Sequence, residues 1–259
     1  MSTGTALITG ASSGIGAEFA KLYAAAGYDL VLVARRLARL EEIGADLTRR
    51  HGVRCEAVEL DLSDREAPRT LAARLPNASV DVLVNNAGFG RVGAFADSDP
   101  AAVERMIAVN ISALTALTRL FVPAMVSRGR GGVLNVASTA GFVPGPLMAV
   151  YYATKAYVIS FTEALAEELR GSGVRVTVLC PGPTTTEFQT VSGMQSARLF
   201  RMPGIMDAAS VARAGYLGLA RGRRMVVPGP LNKLTAFAPR VSPRGLVPRV
   251  VRLLQQRFH

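Results

Sequence analysis

An apolar run, TALIT (5–9), opens straight into the turn Gly10-Ala11-Ser12-Ser13-Gly14-Ile15-Gly16, and a helical pattern follows to about Gly27. Glycines placed between a buried strand and a helix let the backbone approach a pyrophosphate, which then sits on the amides of the helix N-terminus. The spacing is G-x-x-x-G-x-G rather than the commoner G-x-G-x-x-G, and a purely structural turn is the alternative. Its position gives the turn weight: it is the first strand-to-helix junction of a chain that keeps alternating. DLVLV (29–33), RCEAVEL (54–60), DVLV (81–84), GVLNVAS (132–138) and VRVTVL (174–179) read as further strands. Between them lie Leu37, Leu40, Ile43 and Leu47 at helical spacing, a helix near 64–75, a long helical region up to Ser127, and another over 149–170. A helix over 207–220 and a last strand at RMVV (224–227) complete the series. Such alternation predicts an α/β fold, a parallel sheet with helices on both faces.

The end of the second strand selects between dinucleotides. A site for the unphosphorylated cofactor usually places an acid there for the ribose 2′-hydroxyl. This chain reads Val33-Ala34-Arg35-Arg36, with no acid until Glu41. Two arginines at a helix N-terminus oppose its macrodipole and call for an anion. A 2′-phosphate would serve, so NADP(H) is expected rather than NAD(H); the alternative is a solvated basic turn.

Tyr151 and Lys155 open a helical pattern, and four residues apart they project from one face, about 6 Å from each other. Ser138 ends the strand-like run before them. A phenol titrates near ~10 and is a poor acid-base group at neutral pH unless a cation lowers that value. Lys155 can supply the cation, in a chain whose 30 basic residues include only Lys21, Lys155 and Lys233 as lysines. Such a pair is also ordinary on a helix surface, so alone it decides nothing.

Taken together, these residues form a set. TGASSGIG (9–16), Asp61-Leu62, Asn85-Asn86-Ala87-Gly88, Asn110, Ser138, Tyr151-x-x-x-Lys155 and Pro181-Gly182 with Thr186 make the chain resemble the short-chain dehydrogenase/reductase family over residues 3–228. The resemblance implies a Rossmann-type doubly wound sheet of seven parallel strands in the order 3-2-1-4-5-6-7, here with a C-terminal helical extension. It implies a cofactor held by Gly10, Ser12, Ser13, Gly14, Ile15, Gly16, Arg35, Arg36, Pro181, Gly182 and Thr186. Asp61 and Leu62 would flank the adenine, and Asn86, Ala87 and Gly88 would line the cofactor and steady the sheet. Asn85 and Asn86 read equally as a capped strand end, and Asp61 as the N-cap of a short turn. Tyr151 would donate the proton to a carbonyl oxygen as hydride arrives, with Ser138 hydrogen-bonded to that oxygen. Lys155 would hold the nicotinamide ribose and depress the pKa of Tyr151. Asn110 would hold a water linking Lys155 to solvent, or be satisfied within its helix with no such role. Tyr152 is expected to point elsewhere; Thr139 could share or replace the hydroxyl role of Ser138, although its side chain should face away. No metal is expected.

Residues 1–228 are thus expected to be a dinucleotide-binding and catalytic domain, and 229–259 a basic amphipathic extension of it. The net charge of +11 is unevenly placed: 1–197 carry 18 basic and 18 acidic groups, whereas from Arg198 onward 12 basic residues meet one acid, Asp207. No aromatic platform accompanies that excess, which argues against nucleic acid. From Pro243 the spacing of Leu246, Val247, Val250, Val251, Leu253, Leu254 and Phe258 between Arg244, Arg249, Arg252 and Arg257 predicts an amphipathic helix. It packs on the body or a second subunit, or else docks on an anionic membrane or an acidic carrier of an acyl substrate. No stretch reads as a membrane span, and MSTGTALITG lacks the features of a signal peptide. Cys55 and Cys180 are expected to be buried free thiols in a cytoplasmic protein.

Phe142, Val143, Leu147 and Met148, with Phe188, Val191, Met194, Leu199, Phe200, Met202 and Met206, offer a Met- and Phe-rich lining for the substrate. That suits a lipophilic ketone, such as a steroid-like ketone or a long-chain 3-oxoacyl thioester; plain packing of a lid is the alternative. The reading is therefore an NADP(H)-dependent carbonyl reductase or alcohol dehydrogenase, built as a homodimer or homotetramer through the helices at 100–127 and 149–170. The competing readings are reduction of a small polar ketone or sugar, and a catalytically silent dinucleotide-binding protein.

Overall fold

A computed structural model of the chain describes residues 3–75, 80–193 and 205–255. Its strands are β1 (Thr5–Thr9), β2 (Asp29–Ala34), β3 (Cys55–Glu59), β4 (Val80–Asn85), β5 (Gly131–Val136), β6 (Val174–Leu179), β7 (Thr184–Thr185), β8 (Met206–Asp207) and β9 (Met225–Val226). Seven of them pair in parallel in the order β3-β2-β1-β4-β5-β6-β9, the expected doubly wound order with β9 as the seventh strand. β7 and β8 pair separately with each other, a ribbon the sequence did not announce. The helices are α1 (Gly14–Ala25), α2 (Leu37–His51), α3 (Ala67–Arg74), α4 (Pro100–Ile107), α5 (Leu114–Ser127), α6 (Ala149–Glu168), α7 (Phe188–Ser192), α8 (Ala208–Ala220), α9 (Pro230–Phe237) and α10 (Leu246–Gln255).

Side chains alternate across a strand, and here the alternation sorts them into two cores. Ala6, Ile8, Leu30, Leu32, Val84 and Leu134 meet Phe19 of α1, Leu40 of α2 and Val211 of α8 on one face. Leu7, Val31, Val33, Leu83 and Val133 meet Leu71 of α3 and Leu117, Phe121 and Met125 of α5 on the other. Because both faces are covered, the strands read as near-continuous apolar runs. β1 and β4 are neighbours although the chain winds outward from them in opposite directions, so the crevice beyond their C-terminal ends is the switch point where such sheets bind ligands.

Several expectations need adjustment. The helix expected near 64–75 starts only at Ala67, because Asp61 and Asp64 accept backbone hydrogen bonds from Ser63 and Glu66 and make turns first. The last strand shrinks to Met225–Val226. Cys180 is buried, its thiol pushed up to about 12 by burial, but Cys55 is only half-buried because β3 is an edge strand. Pro100–Ser127 is, by length and composition, apolar enough to cross a membrane, contrary to expectation; its apolarity is used against the sheet by buried Leu117, Phe121 and Met125, and against Met148, Tyr151 and Tyr152 by Met106. The tail forms two helices rather than one, α9 having no counterpart in the sequence reading, while Arg257 and Phe258 lie outside the described residues.

Candidate active site

Gly10 and Gly14 adopt left-handed backbone (φ 66° and 54°), the conformation that the turn after β1 requires. A Cβ on Gly16 would collide with the Gly10 carbonyl and the Asn86 side chain, so the turn can close only with glycine there. Asn86 Nδ2 donates to Thr9 O (2.9 Å) and Gly10 O (3.2 Å), while the backbone N–H groups of Asn86 and Ala87 donate to Thr9 Oγ1, both at 3.0 Å. The end of β4 is thereby stitched to the glycine turn. Ser13, at the N-cap of α1, gives it no side-chain cap, and the first turn holds no acid. Its amides are therefore left for an external anion. Thr186 sits over Gly14, and a Cβ there would lie 3.1 Å from the threonine methyl.

Arg36 reaches back over this turn. Its Nη2 donates to Ser12 Oγ (3.0 Å) and pairs with Glu187 Oε2 at 2.8 Å across the cleft. Arg36 together with Ser13 holds the Glu187 carboxyl below the usual carboxylate range. The side chains of Arg36 and Glu187 are 52 % and 56 % exposed, and an exposed pair is worth only ~0–1 kcal/mol, so a phosphate can displace the carboxylate. Arg35 is exposed beside it. Burial works to raise the pKa of Asp61, but hydrogen bonds from the Ser63 N–H and hydroxyl, with Arg35 and Arg105 nearby, hold it below the ordinary value. The turn-capping alternative for Asp61 is thus realised, and the residue still lines the cleft.

β5 delivers Ser138, whose Oγ accepts from Ala140 N (3.1 Å) and caps the short 3-10 turn Thr139–Phe142. The hydroxyl also faces Pro181 O at 3.4 Å and stands beside the Tyr151 phenol, which the first full turn of α6 places there. Burial drives the Tyr151 pKa upward, and Ser138 opposes it. The expected lowering by Lys155 is not the dominant influence in this structure. Lys155 Nζ lies 5.8 Å from the Tyr151 ring centroid and donates to Val136 O at 2.8 Å. Burial lowers the Lys155 pKa to about 8. Gly88 makes room for Asn110 rather than for this ammonium: a Cβ there would crowd Asn110 Oδ1 at 3.1 Å but only touch Nζ at 3.4 Å.

Behind Lys155, Asn110 is buried in a π-helical segment, Ala108–Ala113, that joins α4 to α5. Its amide is spent on the loop after β4 and on α6: Nδ2 donates to Phe89 O (2.9 Å) and Thr154 Oγ1 (3.1 Å), and Oδ1 accepts from Phe89 N (3.1 Å). The side chain is therefore satisfied outside its helix, and a water link would have to use backbone carbonyls that the π-turn displaces from regular bonding.

Most of these pieces border one cleft of about 950 Å³. Of the expected site residues, Gly16 and Asn110 lie behind its wall; the others, from Gly10 to Thr186, line it. Of the expected substrate lining, Val143 and Phe188 reach the cleft, Phe188 standing 5.4 Å from Tyr151 between ring centroids. Phe142 and Met148 pack into neighbouring clusters instead. Met194, Leu199, Phe200 and Met202 lie outside the described residues, as does the Val191 side chain. Thr139, the alternative for the hydroxyl role, borders the cleft beside Ser138. Two features escaped the sequence reading. Tyr152, expected to point elsewhere, lines the cleft with its ring 6.1 Å from that of Tyr151. Glu187 and the wall made by α9 and α10 (Leu231, Val247, Val251, Gln255) had no motif to betray them.

Comparison with known proteins agrees with this fold. The family model described as short chain dehydrogenase matches residues 4–196. The chain is similar to a sulfoacetaldehyde reductase 2 of Chromohalobacter salexigens, 40 % identical over 214 residues, covering 80 % of this chain and 84 % of that protein. It is 38 % identical over 175 residues to a very-long-chain 3-oxoacyl-CoA reductase of Laccaria bicolor, covering 66 % of this chain but only 52 % of that longer relative. Among solved structures, a short-chain dehydrogenase from Sphingobium yanoikuyae in complex with NADPH superposes with a TM-score of 0.84 at 35 % identity, covering 94 % of each chain.

Proposed function

The chain belongs to the short-chain dehydrogenase family, and from that premise we propose an NADP(H)-dependent oxidoreductase that interconverts a lipophilic ketone and its secondary alcohol. The observation that carries this reading is the order of groups along one cleft: anion-seeking groups at one end, Ser138, Tyr151 and Lys155 beyond them, and an apolar wall after that. The bound cofactor would supply or accept the hydride. The α1 amides, Ser12, Ser13 and Thr186 hold its phosphates, and Arg35 and Arg36 its 2′-phosphate. Asp61 and Leu62 flank the adenine. Ser138 hydrogen-bonds the substrate oxygen, Tyr151 gives it the proton, and Lys155 fixes the ribose. Asn110 positions the Phe89 loop and α6. The NADPH carried by the Sphingobium yanoikuyae enzyme supports the choice of cofactor. The name of the Laccaria relative supports a lipophilic ketone, while that of the Chromohalobacter relative favours the second reading, a small polar carbonyl. The free thiols Cys55 and Cys180 go with a cytoplasmic setting. Ile107, Leu120, Val126 and Tyr157, exposed on α4, α5 and α6, offer a subunit interface.

One screen tests the core of this reading: oxidation of NADPH and of NADH over ketones graded by chain length and polarity. Turnover should favour NADPH and rise with lipophilicity; turnover confined to small polar carbonyls would select the second reading. In the same screen, Arg35→Ala combined with Arg36→Ala removes charge-assisted phosphate contacts worth on the order of 1.5–3 kcal/mol. NADPH affinity should fall about tenfold or more, while NADH is little changed. Equal loss for both cofactors would remove the 2′-phosphate role.

The tail contributes a surface. On α10, Val247, Val251 and Leu254 follow i, i+4, i+7 spacing along the cleft, and Leu246, Val250 and Leu253 repeat that spacing on the next stripe, which is exposed and whose Leu246 and Val250 form the rim of the cleft. Seven of the twelve exposed large apolar side chains among the described residues fall between Leu231 and Leu253. Exposed Lys233, Arg244, Arg249 and Arg252 border them. Apolar stripe and basic border together fit an anionic bilayer, where each basic residue contributes about 1 kcal/mol at modest salt. The protein should co-sediment with anionic but not neutral vesicles, salt should reverse this, and Leu246→Ser with Val250→Ser and Leu253→Ser should abolish it. No sedimentation, with a changed subunit number in the variant, would make the stripe a subunit interface instead.

A further inference from the structure

The inward stripe of α10 ends on a polar residue. Gln255 continues Val247, Val251 and Leu254 by one more helical step and lines the cleft, yet it is only 2 % exposed. Val251 packs against the cluster of Tyr151 and Tyr152. The carboxamide stands beside the Tyr152 hydroxyl, near enough to oppose the upward push of burial on that phenol. Neither Nε2 nor Oε1, however, completes a well-formed hydrogen bond to any described residue. A carboxamide carries two donor hydrogens and an oxygen with two lone pairs, and burying them unpaired is costly. Leucine would be the packing choice for this stripe. A glutamine aimed into a cleft, with at most a poorly formed contact to Tyr152 and the rest of its hydrogen-bonding capacity unspent, calls for a ligand group to spend it.

We propose that Gln255 determines substrate specificity by reading a second, uncharged oxygen function on the substrate, a hydroxyl or carbonyl remote from the carbonyl that is reduced. The proposal rests on the ketone-reductase reading of the cleft and narrows its substrate class from any lipophilic ketone to a doubly oxygenated one. A neutral group is specified because Tyr152, Val251 and Leu254 around this wall carry no charge, so an ionised group would be desolvated there without a partner. Discrimination follows from the same physics: a site built to hydrogen-bond a substrate oxygen strongly rejects the analogue that lacks it, because its own polar group is then left unpaired.

Matched ketone pairs test this, identical except that one methylene is replaced by a hydroxyl-bearing or carbonyl carbon, with the oxygen walked along the chain. They are assayed with NADPH on the wild-type protein, Gln255→Leu and Gln255→Glu. At one position of the oxygen, the wild type should prefer the oxygenated partner by about tenfold or more in kcat/KM, chiefly through KM. Gln255→Leu should lose that preference, binding the oxygenated partner less well and the methylene partner better than before, with a melting temperature no lower than wild type. Gln255→Glu, which keeps an acceptor, should retain part of the preference for the hydroxyl partner and lose that for the carbonyl partner. A wild type without preference at any position, or an unchanged preference in Gln255→Leu, overturns the proposal. If no ketone is reduced at all, the reductase reading fails separately. Thermal shifts of the NADP+-loaded protein with the same pairs then decide the role of Gln255. A larger shift with the oxygenated partner, lost in Gln255→Leu, sustains it; equal shifts overturn it.

Discussion

Tyr151→Phe should leave a folded protein that binds NADPH almost as tightly as wild type and reduces nothing at a useful rate. The substitution removes one oxygen from a ring that is otherwise held by packing, with Phe188 at 5.4 Å and Tyr152 at 6.1 Å between centroids. The ring contacts survive, so stability and cofactor affinity should scarcely move. What disappears is the proton donor at the substrate oxygen. A positioned acid contributes typically ~10²–10⁴-fold, and kcat should fall by that order. Ser138 keeps its bond from Ala140 N, so its hydroxyl stays in place and the loss is chemical, not a collapse of the site. Single-turnover reduction measured beside NADPH titration separates the two effects. A variant retaining more than about a tenth of the wild-type rate would take the acid role away from Tyr151. No turnover by the wild type on any carbonyl, with NADPH still bound, would instead revive the catalytically silent reading, with the fold used only to bind dinucleotide.

The parts of this site legible in the sequence are those fixed by local chain geometry. Gly10, Gly14 and Gly16 are demanded by backbone dihedrals and by a contact no Cβ could survive, so they announce themselves as a spacing. Tyr151 and Lys155 share a helix face, and strand alternation wrote the sheet into runs such as DLVLV. What could not be read is what distant segments do to one another. Glu187 meets Arg36 across 151 positions of sequence, and nothing local marks either as the other's partner. Gln255 and Tyr152 meet because α10 folds back onto α6, and a polar residue at the end of an amphipathic helix looks ordinary until its burial is known. Tyr152 was misplaced for a related reason: adjacent residues on a helix diverge by about 100°, but a cleft wide enough to wrap the helix takes both. The electrostatics of Tyr151 were misjudged because the sequence supplies the cation but not the burial, and here burial prevails.

Lys155→Met should cost activity and cofactor affinity together, and in doing so expose the energetic burden of the native residue. The ammonium is buried, and burial lowers its pKa from 10.5 to about 8. Between those values the unfolded chain binds the proton more readily than the folded one, so wild-type stability rises with pH across that window. Below about pH 8 both states carry the charge and the burial penalty is present in full, on the order of 3 kcal/mol for a shift of that size. Methionine keeps the apolar stem and escapes the penalty, though it leaves the Val136 carbonyl without its 2.8 Å partner. The stability of the variant should therefore lack the rise through pH 8 to 10.5 that wild type shows, as denaturant titrations at several pH values would reveal. Activity bears the same signature. Reduction needs Lys155 charged, to hold the ribose and favour proton release from Tyr151, so wild-type kcat/KM should be level below about pH 8 and decline above it. The variant should show a turnover lower by about 10²-fold or more, weaker NADPH binding, and no limb at that pH. A wild-type profile flat to about pH 10, together with a methionine variant of near-normal kcat, would show that the charge on Lys155 is a structural burden with no catalytic use.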